Sequence, residues 1–255
     1  MNMTRFAIRR FNRWLVCGLG LFLISLCQGK SHQQLHHPYS DNKKAQAFIS
    51  SMSGRFGYTA ESLDRIFAQV YRNDNILKKI SRPAEKTTPW YRYRQIFLDT
   101  GRIQNGVAFY RAHQRILQQA YERYGVPPLI IVAIIGVESR YGRIMGSDKV
   151  IEALSTMAFD YPQRERFFTE ELRAFLQMTA KAQLEPLELL GSYAGAMGMA
   201  QFMPSSYLRY AVDGDGDGKA DLWHCFDDVI MSVANYLASH GWQRDGLIVD
   251  EAILR

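Results

Sequence analysis

The stretch that most constrains this chain is "IIVAIIGVESRYG", residues 130–142. Its first eight residues carry no polar side chain, and then comes one carboxylate, Glu138. Pro127 and Pro128 precede it and suit the first turn of a helix. Gly142 follows as an expected C-cap. On a helix Glu138 shares a face with Ile131, Ile134 and Ile135, at separations of seven, four and three. No basic residue stands three or four positions away to neutralise it. A carboxyl so placed is partly desolvated, which raises its pKa. It can then hold a proton near neutral pH and act as a general acid. A structural ion pair with a remote Arg is the alternative use of such a residue.

The rest of the text is mostly helical in period. "DNKKAQAFISSM" predicts a short amphipathic helix ended by Gly54 or Gly57. "TAESLDRIFAQV" opens on a Thr-x-x-Ser cap and places Leu63, Ile66, Phe67 and Val70 at helical spacing. One or two helices are expected over residues 90–124. Further helices are expected over 147–162 and 164–184, with a last one from Asp227 to Trp242. No alternating strand pattern of any length and no tandem repeat is present. The predicted class is mainly α with few or no strands.

Composition fits a globular core: 47% of the 255 residues are hydrophobic and 22% charged. The net charge of +6 suits an acidic polymer or an anionic surface. Without a dense Lys/Arg run or a known motif it does not indicate nucleic acid. Part of the excess lies in Arg5, Arg9, Arg10 and Arg13, ahead of the apolar run "WLVCGLGLFLISL". That layout reads as a signal peptide over 1–29, with cleavage after Gly29. "LISLC" alternatively resembles a lipoprotein signal acylated at Cys27. Either leader directs the chain to the periplasm, the second with an outer-membrane anchor. Residues 30–42 are polar and read as a linker, 43–242 as the folded domain that carries Glu138, and 243–255 as a short tail. Of Cys17, Cys27 and Cys225, only Cys225 surely outlasts cleavage, so no internal disulfide is expected.

Three segments recur in one order: "GVESRYG", "GSYAGAMGMAQFMPSSY" and "VDGDGDGKADLW". With "YRYR", "VPP", "FDYP" and "SVANYL" they resemble the membrane-bound type B lytic murein transglycosylases, from about Phe48 to Trp242. The resemblance implies a lysozyme-like fold with an EF-hand-like loop. It also implies cleavage of the β-1,4 bond between N-acetylmuramic acid and N-acetylglucosamine in peptidoglycan, leaving 1,6-anhydromuramic ends. Glu138 would serve as acid and then base. Tyr93, Arg164, Ser192, Gln201, Phe202 and Tyr236 would line the glycan groove. The implied partner is the glycan strand, met by a monomer that uses no organic cofactor. A protein of the same fold that binds peptidoglycan without cleaving it is the rival reading.

The acidic loop is a cation candidate in its own right. Asp213, Asp215, Asp217 and Asp221 occupy positions 1, 3, 5 and 9 of an EF-hand-like loop. Lys219 would offer its carbonyl at position 7, and Gly218 takes the sharp turn at position 6. Position 12 is His224 instead of Glu, so Asp227 or Asp228 is expected to close the loop. The expected ion is one structural Ca2+. Two further departures stand out: Gln163 replaces a second Arg beside Arg164, and only 13 residues follow Trp242. The latter leads us to expect a truncated product with an open groove wall and low turnover.

Overall fold

The computed structural model describes residues 37–81 and 88–247. The leader, Cys27, most of the expected linker and the last eight residues lie outside these limits.

Helix α1 (Lys43–Met52) starts where the Asn42 side chain accepts from the Lys44 and Ala45 amides. It buries Ala45, Phe48, Ile49 and Met52, an i, i+3, i+4, i+7 stripe. Helix α2 (Ala60–Phe67) carries the expected cap as a reciprocal Thr59–Ser62 box. Helix α3 (Asp74–Ser81) follows. The span expected to form one or two helices divides further. Helix α4 (Trp90–Tyr93) leads into a 3-10 turn at Arg94–Ile96. Helices α5 (Thr100–Ala112) and α6 (Gln114–Tyr124) then meet at a break on His113. Asp99 forces the restart, because its carboxylate caps the Arg102 amide.

Helix α7 (Pro128–Ser139) has Pro128 at its first position, as expected. Its C-cap is Arg140, in the left-handed region, where Gly142 was expected. Burying Ile131, Val132 and Ile135 contributes roughly 1.5–3 kcal/mol each. Helices α8 (Val150–Asp160) and α9 (Glu165–Ala182) pack against each other, followed by α10 (Pro204–Tyr210) and α11 (Phe226–Ser239).

The only strands among the described residues are β1 (Asp148–Lys149) and β2 (Leu190–Gly191), paired antiparallel. Two apolar clusters fill the interior. One joins α1, α2, α3, α8 and α9; the other joins α5, α6, α7 and α11. Residues 197–202 run along the seam, with Met197 in the first cluster and Met199 and Phe202 in the second. The small-residue segment therefore sits where the two halves meet.

Candidate active site

Glu138 lies in the last turn of α7 and is exposed. Ile131 and Ile135, on the same angular face, are fully buried. The difference is axial: seven residues advance about 10 Å along a helix, which carries Glu138 past the edge of the core. It makes no hydrogen bond or ion pair among the described residues. Open on one side and crowded by protein on the others, its carboxyl is pushed above the ordinary carboxylate range by desolvation.

The backbone after Glu138 is fixed tightly. Arg140, Tyr141 and Gly142 have φ of 50°, 60° and 80°. Buried Ser139 accepts from the Gly142 amide at 3.0 Å and donates to the Ile135 carbonyl. The Ile144 amide reaches the Ser139 carbonyl at 2.9 Å. Gly146, at φ 95°, presses on the Gly191 backbone, where any Cβ would overlap it. The loop leaving α7 is thereby seated on the strand that leads to Ser192.

Residues 191–202 fold back on themselves through bridges Gly191–Met197 and Met197–Phe202. Ser192 Oγ accepts from the Ala194 and Ala196 amides at 3.3 and 3.0 Å. Both contacts use oxygen lone pairs, so the hydroxyl proton is left to donate. Among the described residues no bond joins Ser192 to Glu138. Gln201, at φ 50°, donates from Nε2 to the Met145 and Gly198 carbonyls. It ties this segment to the loop after Glu138. Phe202 is buried, its ring 5.4 Å from that of Tyr236, which stacks on His240 at 4.1 Å. The Gly-Ala composition has a steric cause, since a Cβ on Gly198 would meet the Leu222 carbonyl.

Tyr93 and Arg164 stand on other elements. Tyr93 packs edge-on against Phe97 at 5.2 Å, and Arg164 lies 4.1 Å over the exposed Phe167 ring. A cleft of about 1110 Å³ is present that Glu138 does not line. It lies between Met145, the end of α9, Tyr207 and the acidic loop. The raised carboxyl of Glu138 stands apart from it, at the end of α7.

The acidic loop brings Asp213, Asp215 and Asp217 together, their carboxylate oxygens within 4.8 Å of one another. Asp213 accepts from the Gly218 and Gly216 amides, and these bonds hold its carboxyl below the usual range. Three hard oxygen donors suit a calcium-type ion. Asp221 departs from its expected place. It accepts from the Trp223 and His224 amides and pairs with His224 Nδ1 at 3.0 Å, so positions 9 and 12 satisfy each other. The Lys219 amide bonds Asp217 at 2.8 Å. Asp227 pairs with Arg115 at 2.6 Å. Asp228, buried, accepts from the Gly214 and Asp221 amides and so joins the two ends of the loop through backbone.

Another buried carboxylate escaped sequence reasoning. Glu171, in mid-α9, accepts from the Ser205 amide at 2.9 Å and hydroxyl at 2.6 Å, capping α10 from 34 residues away. No local pattern marks it.

Residues 40–255 match the transglycosylase SLT domain family. The chain is 44% identical over 218 residues to membrane-bound lytic murein transglycosylase B of Escherichia coli (strain K12), which covers 82% of the chain and 60% of that protein. Among solved structures it resembles the soluble lytic transglycosylase SltB1 of Pseudomonas aeruginosa. The TM-score is 0.75 and the identity 49%, over 79% of this chain and 68% of that one. It also resembles the E. coli lytic transglycosylase Slt35 solved in complex with calcium. There the TM-score is 0.75 and the identity 43%, over 84% and 69% of the two chains. The fold is the lysozyme-like one of these enzymes. The chain spans about 60% of the length of the curated relative it matches. On the family match and these identities, the chain belongs to the transglycosylase SLT domain family.

Proposed function

We propose that the protein is a lytic transglycosylase acting on the β-1,4 bond between N-acetylmuramic acid and N-acetylglucosamine of peptidoglycan. The observation that carries the reading is Glu138: a carboxyl raised by desolvation, without a hydrogen-bond or ion-pair partner among the described residues, and open to solvent. Such a group can hold a proton near neutral pH and release it to a substrate.

The protonated carboxyl gives its proton to the glycosidic oxygen as the bond from that oxygen to the anomeric carbon breaks. The acetamido oxygen of the muramic residue supports the developing positive charge, and the free Ser192 hydroxyl proton orients that acetamido group. The ionised Glu138 then takes the proton of the six-position hydroxyl, whose oxygen bonds the anomeric carbon. Water is neither consumed nor released, and Glu138 ends protonated, as it began. One carboxyl suffices, where ordinary retaining and inverting glycosidases need two. Gln201 lines the groove beside Ser192 with buried Phe202 packed behind it, and Tyr93, Arg164 and Tyr236 extend the groove along the strand. Tyr rings offer sugars a flat apolar face with a polar tip.

Asp213, Asp215 and Asp217 would hold a calcium ion, whose chemistry here is to neutralise a crowded acidic turn and so brace the fold. The leader at 1–29 places the enzyme in the periplasm, and acylation at Cys27 would add a membrane anchor. Mass analysis of products from purified peptidoglycan tests the reaction. Muropeptides lighter by one water than their reducing-end counterparts, absent with Glu138→Gln, are expected. Reducing ends would instead mean hydrolysis, and no release at all would leave the binding protein.

A further inference from the structure

We propose that Tyr141 is a wedge, seated between glycines of two helices, that positions the Glu138 carboxyl. Tyr141, Gly106 and Gly136 are then positioning residues of the reaction. The inference rests on the transglycosylase reading of Glu138.

Gly106 and Gly136 lie inside α5 and α7, where each costs about 1 kcal/mol relative to alanine. Neither has a positive φ, so backbone conformation does not call for glycine at either position. Space does. A Cβ on Gly106 would stand 2.5 Å from Tyr141 Oη and 3.3 Å from its Cζ. A Cβ on Gly136 would overlap Oη and stand 2.6 Å from Cζ and 3.0 Å from Cε1. Both glycines are buried, and the ring that fills their cradle belongs to the third residue after Glu138.

That residue is itself held in an uncommon conformation. A left-handed Tyr following a left-handed Arg costs of order 1–3 kcal/mol per residue. Such strain persists only where surroundings over-determine it. Here α5 grips the turn twice. Gly106 receives the ring, and Asp99, capping the same helix, lies 3.5 Å from Arg140 Nη2. Phe109 of α5 closes the far side, its ring centroid 5.3 Å from that of Tyr141.

Among the described residues Glu138 has no partner to fix its rotamer. Where its carboxyl stands is therefore set by the backbone of 138–142, which the wedge locks against α5. Misplacement of a reacting group by about 1 Å can cost about a hundredfold in rate.

The distances predict an asymmetric rescue. Gly106→Ala should lower kcat about ten- to a hundredfold. Glycan binding, measured in a Glu138→Gln background, should change less than about threefold. Tyr141→Phe alone should stay near wild type. Added to Gly106→Ala it should restore turnover, since the nearest remaining contact is Cζ at 3.3 Å. Added to Gly136→Ala it should not, because Cζ remains at 2.6 Å. Tyr141→Ala, which adds no atom to the cradle, covers the case in which a glycine variant fails to fold; it should lose kcat and keep binding.

Wild-type turnover in Gly106→Ala or in Tyr141→Ala would overturn the proposal, as would equal rescue of both glycine variants or rescue of neither. If the wild-type chain releases no anhydro product, the reaction reading fails separately. The wedge is then judged by NMR titration of the Glu138 carboxyl. Gly106→Ala should shift that titration and Gly106→Ala/Tyr141→Phe should restore it; an unshifted titration overturns the wedge.

Discussion

Replacing Glu171 by alanine removes the carboxylate that caps α10 from the middle of α9. Glu171 is only 5% exposed, and it accepts two bonds, from the Ser205 amide and hydroxyl. Hydrogen bonds to a charged group contribute roughly 1.5–3 kcal/mol each, so the gross loss is about 3–6 kcal/mol. Two effects reduce it. Ser205 is exposed, so its freed amide and hydroxyl regain water, and the desolvation cost of the carboxylate disappears with it. A net destabilisation of about 2–4 kcal/mol remains. Glu171→Gln keeps an acceptor at the amide but makes neutral bonds about half as strong, and should cost about 1–1.5 kcal/mol. Ser205→Ala removes the hydroxyl bond alone and leaves Glu171 Oε1 without that donor, at about 1.5–3 kcal/mol. Denaturant unfolding with a constant slope measures all three. The double variant Glu171→Ala/Ser205→Ala should cost less than the sum of the singles, since both touch one bond. A Glu171→Ala protein within about 0.5 kcal/mol of wild type, the scatter of ordinary surface changes, would refute the cap.

Glu138→Gln should abolish glycan cleavage while raising the melting temperature at neutral pH. The folded carboxyl has a raised pKa, so the folded state binds more protons than the unfolded one. Stability from this group is full below the unfolded value of about 4.3 and falls as pH rises through the folded value. The advantage of the amide should therefore vanish below about pH 4, and a pH-independent difference in melting temperature would contradict this. Calcium should stabilise the fold, by about 2.7 kcal/mol at one hundred times its Kd, and Asp213→Asn should weaken the effect in a calcium-titrated melt. Ser192→Ala should reduce turnover about a hundredfold by steady-state assay if, as proposed, its free hydroxyl proton orients the acetamido group.

What was legible in the sequence was contiguous in it. The Thr59–Ser62 box and the proline at the mouth of α7 depend on neighbours within four residues, and both are present as expected. Asp213, Asp215 and Asp217 converge because alternate residues of a tight turn must. The misses share the opposite property. Glu171 acts through the Ser205 amide and hydroxyl 34 residues distant, and nothing near it in the sequence marks the contact. The C-cap of α7 fell at Arg140 instead of Gly142 because a tertiary contact, the ring in its glycine cradle, overrode local preference.

Glu138 shows how far periodicity reaches. The 3.6-residue period places it correctly on the face of Ile131 and Ile135, but period is an angle and burial also needs depth. At the end of α7 the apolar face has left the core, so the same direction that buries Ile131 brings Glu138 to the surface. A carboxyl one turn earlier would be enclosed among Ile131, Ile135 and Val132, neutral and out of reach of any glycan. Five or six residues later it would sit on the exposed Arg143–Ile144 segment, free to ionise and too acidic to protonate a leaving oxygen. The last turn of α7 is where partial desolvation and access coincide, and that coincidence is what an acid that must also become a base requires.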